Sequence, residues 1–296
     1  MPAEHRKPLW LLPNLLSLDA PLVAVAWLYM FAKTWRVDYL PWAAYFALGL
    51  AVWIIYVTDR LLDASLVGGV SGKLEPRHDF HRRHQKLFRR LLIAAAIAVV
   101  VLVVTRLPMT IYGFGIGGGG DINAVPFLGV ILVAGFFVLS ISSTHGPDEI
   151  PHAKNLLAGA AFAYGTSMIA YAFTTFTLWE FIRSRELISF GVLCMLNISA
   201  IDLWEHSRRS SDPEIKATDE LALTLPLVLL GGAALVFAAQ DHDLTTRPFY
   251  YAVLTGAALL YILNRNRSRF GMDSLRVLAD VALLIPIVVF QASALS

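Results

Sequence analysis

The sequence predicts an all-α integral membrane protein, a single domain over residues 1–296 built as a bundle of about nine transmembrane helices. Hydrophobic residues make up 57% of the chain and charged residues only 16%, whereas a soluble domain usually carries about 25% charged residues. The mean hydropathy is +0.61. Apolar stretches of roughly 20 residues, the length that a membrane-spanning helix needs, recur from one end of the chain to the other.

Each apolar stretch is assigned one transmembrane helix, and the nine are numbered 1 to 9 in chain order. The first follows the short polar segment Met1–Lys7 and is too long for the apolar core of a signal peptide. No soluble domain is expected between the spans, because the connecting loops are short and polar. The predicted spans are Leu9–Phe31, Leu40–Thr58, Phe88–Arg106, Ala124–Ser142, Ala153–Thr175, Glu186–Asp202, Leu221–Gln240, Pro248–Asn264 and Leu275–Leu295.

The basic residues predict which side of the membrane each loop faces. With the N-terminus placed in the cytoplasm, eighteen of the 24 Lys and Arg residues fall on the cytoplasmic side. Cytoplasmic loops of membrane proteins carry such an excess of positive charge. The pattern therefore predicts a multi-pass protein with a cytoplasmic N-terminus, surrounded by membrane lipids and without a nucleic-acid partner.

An acidic motif ends predicted span 2. Asp59 and Asp63 are four residues apart, so a continuing helix places both carboxylates on one face. Such a pair suits Mg²⁺, a hard ion that usually bridges protein carboxylates to phosphate. Equally, Asp59 could pair with Arg60 or another loop cation and simply end the helix.

A second acidic motif ends predicted span 6. Asp202 and Glu205 are three residues apart, with Asn197 one turn before them, so the two carboxylates again share a helix face. A solvated helix end explains the same residues. However, both motifs end even-numbered spans on the same side of the membrane, so they could converge on one site.

Basic residues accompany these carboxylates. The segment 77–84 holds three arginines and three histidines, and Lys154 and Asn155 open predicted span 5. Cations beside carboxylates suit a ligand that carries phosphate. Ordinary cytoplasmic positive charge explains most of them, but Arg77 and Lys154 are singled out as candidate phosphate ligands.

A further charged pair lies in predicted span 9. Arg276 and Asp280 are four residues apart near its cytoplasmic start. An ionisable residue inside a membrane span is a candidate for function. A local salt bridge that neutralises both side chains is the equally weighted alternative.

Together these features resemble the UbiA superfamily of intramembrane prenyltransferases. The nine helices and the acidic motifs after spans 2 and 6 carry the resemblance, which extends over nearly the whole chain. Pro151–Asn155, followed by Gly159, Phe162 and Tyr164–Thr166, looks like the lysine-led fifth helix of that family. Asn14 in span 1 is compatible with its first helix.

With two departures from the family's motifs, the chain resembles a divergent branch of that superfamily. The first motif usually reads Asn-x-x-x-Asp-x-x-x-Asp, and Ile55 stands where the asparagine is expected. The second motif carries aspartates four residues apart, and Ile198 and His206 occupy the positions at that spacing from Asp202. Glu205, one residue out of register, is the nearest acidic substitute.

The resemblance implies transfer of an isoprenyl group from an isoprenyl diphosphate to a lipophilic acceptor, aromatic or otherwise, at the cytoplasmic face. Mg²⁺ would neutralise the diphosphate as a leaving group, held by Asp59, Asp63, Asp202 and Glu205, of which the three aspartates are the implied catalytic residues. Aromatic faces, with Tyr164, Tyr171 and Trp204 as candidates, would steady the allylic cation. The implied substrate-binding residues are Asn14, Arg77, Lys154, Asn155, Tyr164, Asn197, Glu205, Arg276 and Asp280.

Two alternatives stay open. A terpene cyclase on the same scaffold would use the same diphosphate chemistry without an acceptor. A lipid-binding or transport protein without catalysis would explain the degraded acidic motifs. A transporter is expected to carry broken helices or ionisable groups near the bilayer midplane, whereas the polar residues here cluster at one face of the membrane.

Overall fold

The computed structural model of the chain describes residues 11–67, 80, 83–107, 124–142, 152–241 and 244–295, with the backbone alone at 63–67, 124–126 and 142. Within these residues the protein is all-helical and contains no β-strand. The helices are α1 (Leu12–Leu15), α2 (Asp19–Thr34), α3 (Trp42–Val67), α4 (Gln85–Arg106), α5 (Ala124–Ser142), α6 (His152–Tyr171), α7 (Leu178–Ile182), α8 (Arg185–Arg209), α9 (Pro213–Gln240), α10 (Arg247–Asn266), α11 (Met272–Leu284) and α12 (Pro286–Ala294).

Every one of the nine predicted spans contains a helix, and α5 matches its predicted span at both ends. Among the described residues, five helical stretches are long and apolar enough to cross a membrane, and Phe127–Ile141 within α5 is a shorter apolar helix. A membrane protein is therefore plausible, while the count of nine spans stays a prediction. The five stretches are Trp42–Leu62, Gln85–Arg106, Arg185–Arg209, Pro213–Gln240 and Met272–Ala294.

The first predicted span is not one continuous helix. Ser17 adopts a left-handed backbone conformation with φ of 57°. The N–H of Leu18 donates to the carbonyl of Pro13 (2.8 Å), and the N–H of Ser17 donates to the carbonyl of Asn14 (3.2 Å). This pair of bonds is the Schellman arrangement that ends a helix. A new helix, α2, then begins at Asp19.

The last predicted span is likewise divided, into α11 and α12. Pro286 opens α12 and has no backbone N–H, so it cannot continue the hydrogen-bond ladder of α11. The N–H of Ile285 makes the last such bond, to the carbonyl of Val281 at 2.9 Å. The division shortens α11, which carries Arg276 and Asp280.

Aromatic side chains join four helices at the centre of the protein. The rings of Trp27 on α2 and Phe190 on α8 are stacked with their centroids 4.2 Å apart, and Phe249 on α10 meets Trp27 edge-on at 5.5 Å. The indole N–H of Trp27 donates to the carbonyl of Leu283 on α11 at 2.8 Å. All three rings are fully buried, and a buried side chain of this size contributes about 1.5–3 kcal/mol or more to stability.

A close approach between α6 and α8 places the polar ends of both helices side by side. A Cβ atom at Gly159 would lie 2.6 Å from the Cγ of Met195 and 2.7 Å from its backbone nitrogen. Small residues allow helices in membranes to pack this closely. Because Gly159 has no Cβ, Asn155 one turn earlier can reach Asp202 on α8.

Candidate functional site

A large cavity lies between α3, α6 and α8, with further wall residues from α4, α5 and α11. Its volume is about 1080 Å³, which is at the upper end of the range of about 300–1,000 Å³ that is usual for ligand pockets. The cavity is therefore large enough for an extended organic ligand.

The cavity wall changes in character along its length. On α3 the wall residues Ala47 to Ile55 are apolar and Asp59 is charged, while on α6 Lys154 and Asn155 come first and mostly apolar residues follow, with Thr166 among them. Since α3 ends where α6 begins, these polar side chains share one end of the cavity. From Asp59 back to Ala47 the apolar wall extends about 18 Å, at 1.5 Å per helical residue.

We call the part of the cavity lined by Asp59, Lys154, Asn155 and Asp202 the charged end. The Nζ of Lys154 lies 4.0 Å from Oδ1 of Asp59, and Nδ2 of Asn155 donates to Oδ2 of Asp202 at 2.7 Å. Two consecutive residues of α6 thus contact the acidic motif of α3 and that of α8. The hydroxyl of Ser140 on α5 also donates to Asp59, at 3.2 Å. The structure brings the two predicted acidic motifs to the same cavity.

Glu205 is not among the wall residues of the cavity, and its predicted role as a metal ligand stays a prediction. Its carboxylate accepts a hydrogen bond from Arg276 on α11 and lies 3.3 Å from the guanidinium of Arg209. Arg276 is buried and lines the cavity, and it also lies 3.6 Å from Asp273. Glu205 therefore positions Arg276, and its carboxylate is occupied by arginines.

The remaining predicted residues divide between the cavity and the core. Asn14, Asn197 and Asp280 line the cavity, and Nδ2 of Asn197 is fixed by donating to a backbone carbonyl of α11 at 2.8 Å. Tyr164 belongs to the buried core. Trp204 is also a core residue, with its indole N–H donating to a neighbouring asparagine at 2.9 Å.

Neither Tyr164 nor Trp204 is among the wall residues of the cavity, so the cation-stabilising role expected of them stays a prediction. Tyr171 does line the cavity. Other aromatic wall residues were not predicted as aromatic faces, among them Tyr56 and Phe162, whose rings meet edge-on with centroids 6.4 Å apart.

Two predicted residues fall at the limits of the described chain. Arg77 lies outside the described residues, and at Asp63 the backbone alone is described. Helix α3 continues to Val67, beyond the predicted end at Thr58. Asp59 and Asp63 therefore lie one turn apart on a continuous helix, which is the condition for both to share one helix face.

Sequence reasoning also missed two buried charged residues of the cavity wall. Asp19 opens α2, and its Oδ2 accepts from Nδ2 of Asn14 at 2.6 Å. Arg60 donates to the backbone carbonyl of Asn14, so the end of α3 is tied to the break between α1 and α2. A signal was present for Asp19, because an ionisable residue within an apolar span is a candidate by default.

The side chains of the charged end are of the kind that Mg²⁺ prefers. Asp59 and Asp202 supply carboxylates to one cavity, and proteins often hold Mg²⁺ through one or two carboxylates together with phosphate oxygens. Within the described side chains, no group of three or more His, Cys, Asp or Glu could hold a metal ion. Mg²⁺ at this position would therefore take much of its coordination from a phosphate ligand and water.

Comparison of the chain with protein-family models, with curated proteins and with solved structures finds no match. The resemblance to the UbiA superfamily therefore stays a prediction. What the protein binds is to be inferred from the side chains and the shape of its cavity.

Proposed function

We propose that the protein is a membrane-embedded prenyltransferase, which transfers an isoprenyl group from an isoprenyl diphosphate to a lipophilic acceptor. The main support is the two-part cavity, in which a charged end with Asp59, Lys154 and Asp202 adjoins a long apolar wall. A ligand with a highly charged head and a long apolar tail matches both parts. In this proposal the protein spans the membrane nine times, and the charged end faces the cytoplasm.

The head of the substrate would lie among the cations of the charged end. Lys154 and Arg276 can donate charge-assisted hydrogen bonds to phosphate oxygens, and Glu205 holds Arg276 in place from the neighbouring helix. Mg²⁺, held by Asp59, Asp63 and Asp202, would supply neutralisation of the leaving diphosphate. Asn155 orients the carboxylate of Asp202 through its hydrogen bond.

The tail would lie along the apolar wall, where residues such as Val52, Phe162 and Ile169 exclude water.

In the proposed reaction, the bond between the isoprenyl C1 and the diphosphate oxygen breaks, and its electron pair leaves with the diphosphate. The acceptor then forms a bond to C1 and loses a proton. Tyr56, three residues from Asp59, and Phe162 present aromatic faces beside the charged end, where they can stabilise positive charge on C1.

A lipid-binding protein without catalysis is the second candidate. It is favoured by the contacts within the charged end, where Lys154 faces Asp59 and Asn155 satisfies one oxygen of Asp202 without any ligand. A terpene cyclase would share the diphosphate chemistry and differ only in needing no acceptor.

The test is release of pyrophosphate by the purified protein in nanodiscs. Geranyl, farnesyl, geranylgeranyl and longer diphosphates are supplied with Mg²⁺, with and without a lipid extract as the source of acceptor. We expect release that requires Mg²⁺ and is lost in Asp59→Asn and Asp202→Asn, but is kept in Glu214→Gln, which removes an exposed carboxylate from the start of α9. Dependence on the extract favours transfer over cyclisation. Binding without release supports the lipid-binding alternative.

A further inference from the structure

One aromatic side chain, Phe176, which is 37% exposed, lines both the large cavity and a second one. At the end opposite to the charged end, the wall of the large cavity is formed by the segment Tyr171–Phe176, which we call the far end. A second cavity of about 430 Å³ lies beyond it, with Trp35, Arg36, Glu180 and Glu186 in its wall. Phe176 lines both cavities. It therefore stands between an apolar space and a polar one.

The ring of Phe176 packs against the ring of Trp35. Its centroid lies 5.7 Å from that of Trp35, in an edge-on arrangement. Trp35 is itself packed against Phe31 at 4.8 Å and against Phe181 at 5.9 Å. Since Phe31 and Phe181 are fully buried, the partition is anchored in the protein core.

The backbone on both sides of Phe176 is also fixed. Its N–H donates to the hydroxyl of Thr174 at 3.3 Å, and that hydroxyl donates to the carbonyl of Tyr171 at 2.7 Å. The next residue, Thr177, forms a capping box with Glu180 at the start of α7, in which each side chain bonds to the backbone N–H of the other residue. These bonds fix the local backbone conformation on both sides of Phe176, although the turn itself is exposed.

The cavity beyond Phe176 is unsuited to an apolar chain. Hydrogen bonds from the backbone and side chain of Thr177 hold the pKa of Glu180 below its usual range, so this carboxylate stays ionised. The carboxylate of Glu186 accepts from the hydroxyl of Tyr250 at 2.8 Å. An apolar chain that passed Phe176 would remove water from these groups without replacing its hydrogen bonds, which is costly.

We infer that Phe176 sets the maximum length of the tail that the large cavity accepts, by closing its far end against the polar cavity. This inference rests on the proposed function, in which the head of the ligand occupies the charged end. With the head fixed near Asp59 and Lys154, each added isoprene unit moves the end of the tail towards Phe176. Chains that reach its ring must bend or leave the cavity through the side.

The test is the affinity of the purified protein in nanodiscs for geranyl, farnesyl, geranylgeranyl and hexaprenyl diphosphates with Mg²⁺ and without acceptor. In the wild type, affinity should rise about tenfold or more with each isoprene unit that is buried, and then stop rising at one chain length. Phe176→Ala should move that limit to a longer chain by at least one isoprene unit. Phe176→Trp should move it to a shorter one.

Trp179→Ala is the matched control, because Trp179 is an exposed aromatic residue of the neighbouring helix α7 whose ring contacts Arg183. It should leave the length limit unchanged. The same limit in the wild type and both Phe176 variants would overturn the inference, even if every diphosphate binds. Uncharged polyprenols of the same lengths form a separate arm. A limit for polyprenols that shifts in Phe176→Ala supports the partition, even if no diphosphate binds and the proposed function fails.

Discussion

The cavity has two walls that are built differently. The packed wall consists of α6 and α8, which touch closely at Gly159 and Met195 and are joined by the hydrogen bond between Asn155 and Asp202. The exposed wall consists of α4 and α5. Helix α4 packs on α3 and α5 packs on α6, and about half of the described large apolar side chains of these two helices are exposed.

Under the proposed function, the difference separates the groups that would hold a charged head from those that would meet lipid. The packed wall contributes the polar side chains of Lys154, Asn155, Asn197 and Asp202 to the cavity, whereas the exposed wall contributes mainly apolar ones. Groups that bind charge must be held accurately, and rigid packing achieves this. An apolar tail needs only a surface of suitable shape. We therefore expect substitutions to be costly in the packed wall and mild in the exposed wall.

The largest loss of stability is expected for Glu205→Gln, which removes a carboxylate partner of the buried Arg276. Breaking one side of a buried ion pair costs about 3 kcal/mol, and Arg276 would also lose its fixed position beside the charged end. Thermal unfolding in detergent measures the first effect, and pyrophosphate release measures the second. Arg209→Gln removes the other, exposed partner of Glu205 and should change stability by less than about 1 kcal/mol. Equal losses in the two variants would show that the pair with Arg276 has no special role.

Gly159→Ala should be the next most damaging change. The added methyl group would overlap the backbone of Met195, so α6 and α8 must separate, at a cost of about 1–3 kcal/mol. The bond from Asn155 to Asp202 should weaken with them, and Mg²⁺-dependent turnover should fall. Gly232→Ala on α9, away from the cavity, is the control, since among the described residues its Cβ would meet nothing within 4 Å. It should be neutral or stabilising, because alanine favours helix. Unfolding at the same temperature in both variants would mean that α6 and α8 tolerate separation.

The sequence predicted the positions of the helices well because apolar length is a strong signal. Ala124–Ser142 was predicted residue for residue. The spacing of Asp59 and Asp63 also implied that α3 continues beyond its apolar part, which it does. The helix breaks at Ser17 and Pro286 were harder to predict. A serine in the left-handed backbone conformation has no distinctive sequence signal, and proline is common inside membrane helices.

The sequence alone did not predict contacts between segments that are distant along the chain. Glu205 was assigned to metal binding because spacing relates it only to Asp202, while its partner Arg276 is 71 residues away. Tyr164 and Trp204 were chosen as cavity residues, and Tyr56 was not. Membrane helices are apolar on all sides, so periodicity does not identify the face that lines a cavity.

Asn155→Ala tests the hydrogen bond to Asp202 that joins α6 and α8 at the charged end. Loss of a hydrogen bond to a carboxylate should reduce the free energy of unfolding by about 1.5 kcal/mol. It should also hold the carboxylate of Asp202 less firmly, so half-maximal activity should require a higher concentration of Mg²⁺. Asn266→Ala removes a comparable amide bond, to the carbonyl of Ile262 at the protein surface, and should have little effect on either measurement. An unchanged Mg²⁺ requirement in Asn155→Ala would argue against a role for Asn155 in positioning Asp202.

The smallest effects are expected in the exposed wall. Ile97 on α4 is 59% exposed and Ile131 on α5 is 49% exposed, so truncation of either to alanine leaves no buried space behind. Each change should alter the free energy of unfolding in detergent by no more than about 0.5 kcal/mol. The affinity for a prenyl diphosphate should also stay the same, because neither side chain lines the cavity. A loss of more than about 1.5 kcal/mol for either variant would show that the helix is covered by another part of the protein, and the contrast between the two walls would then disappear.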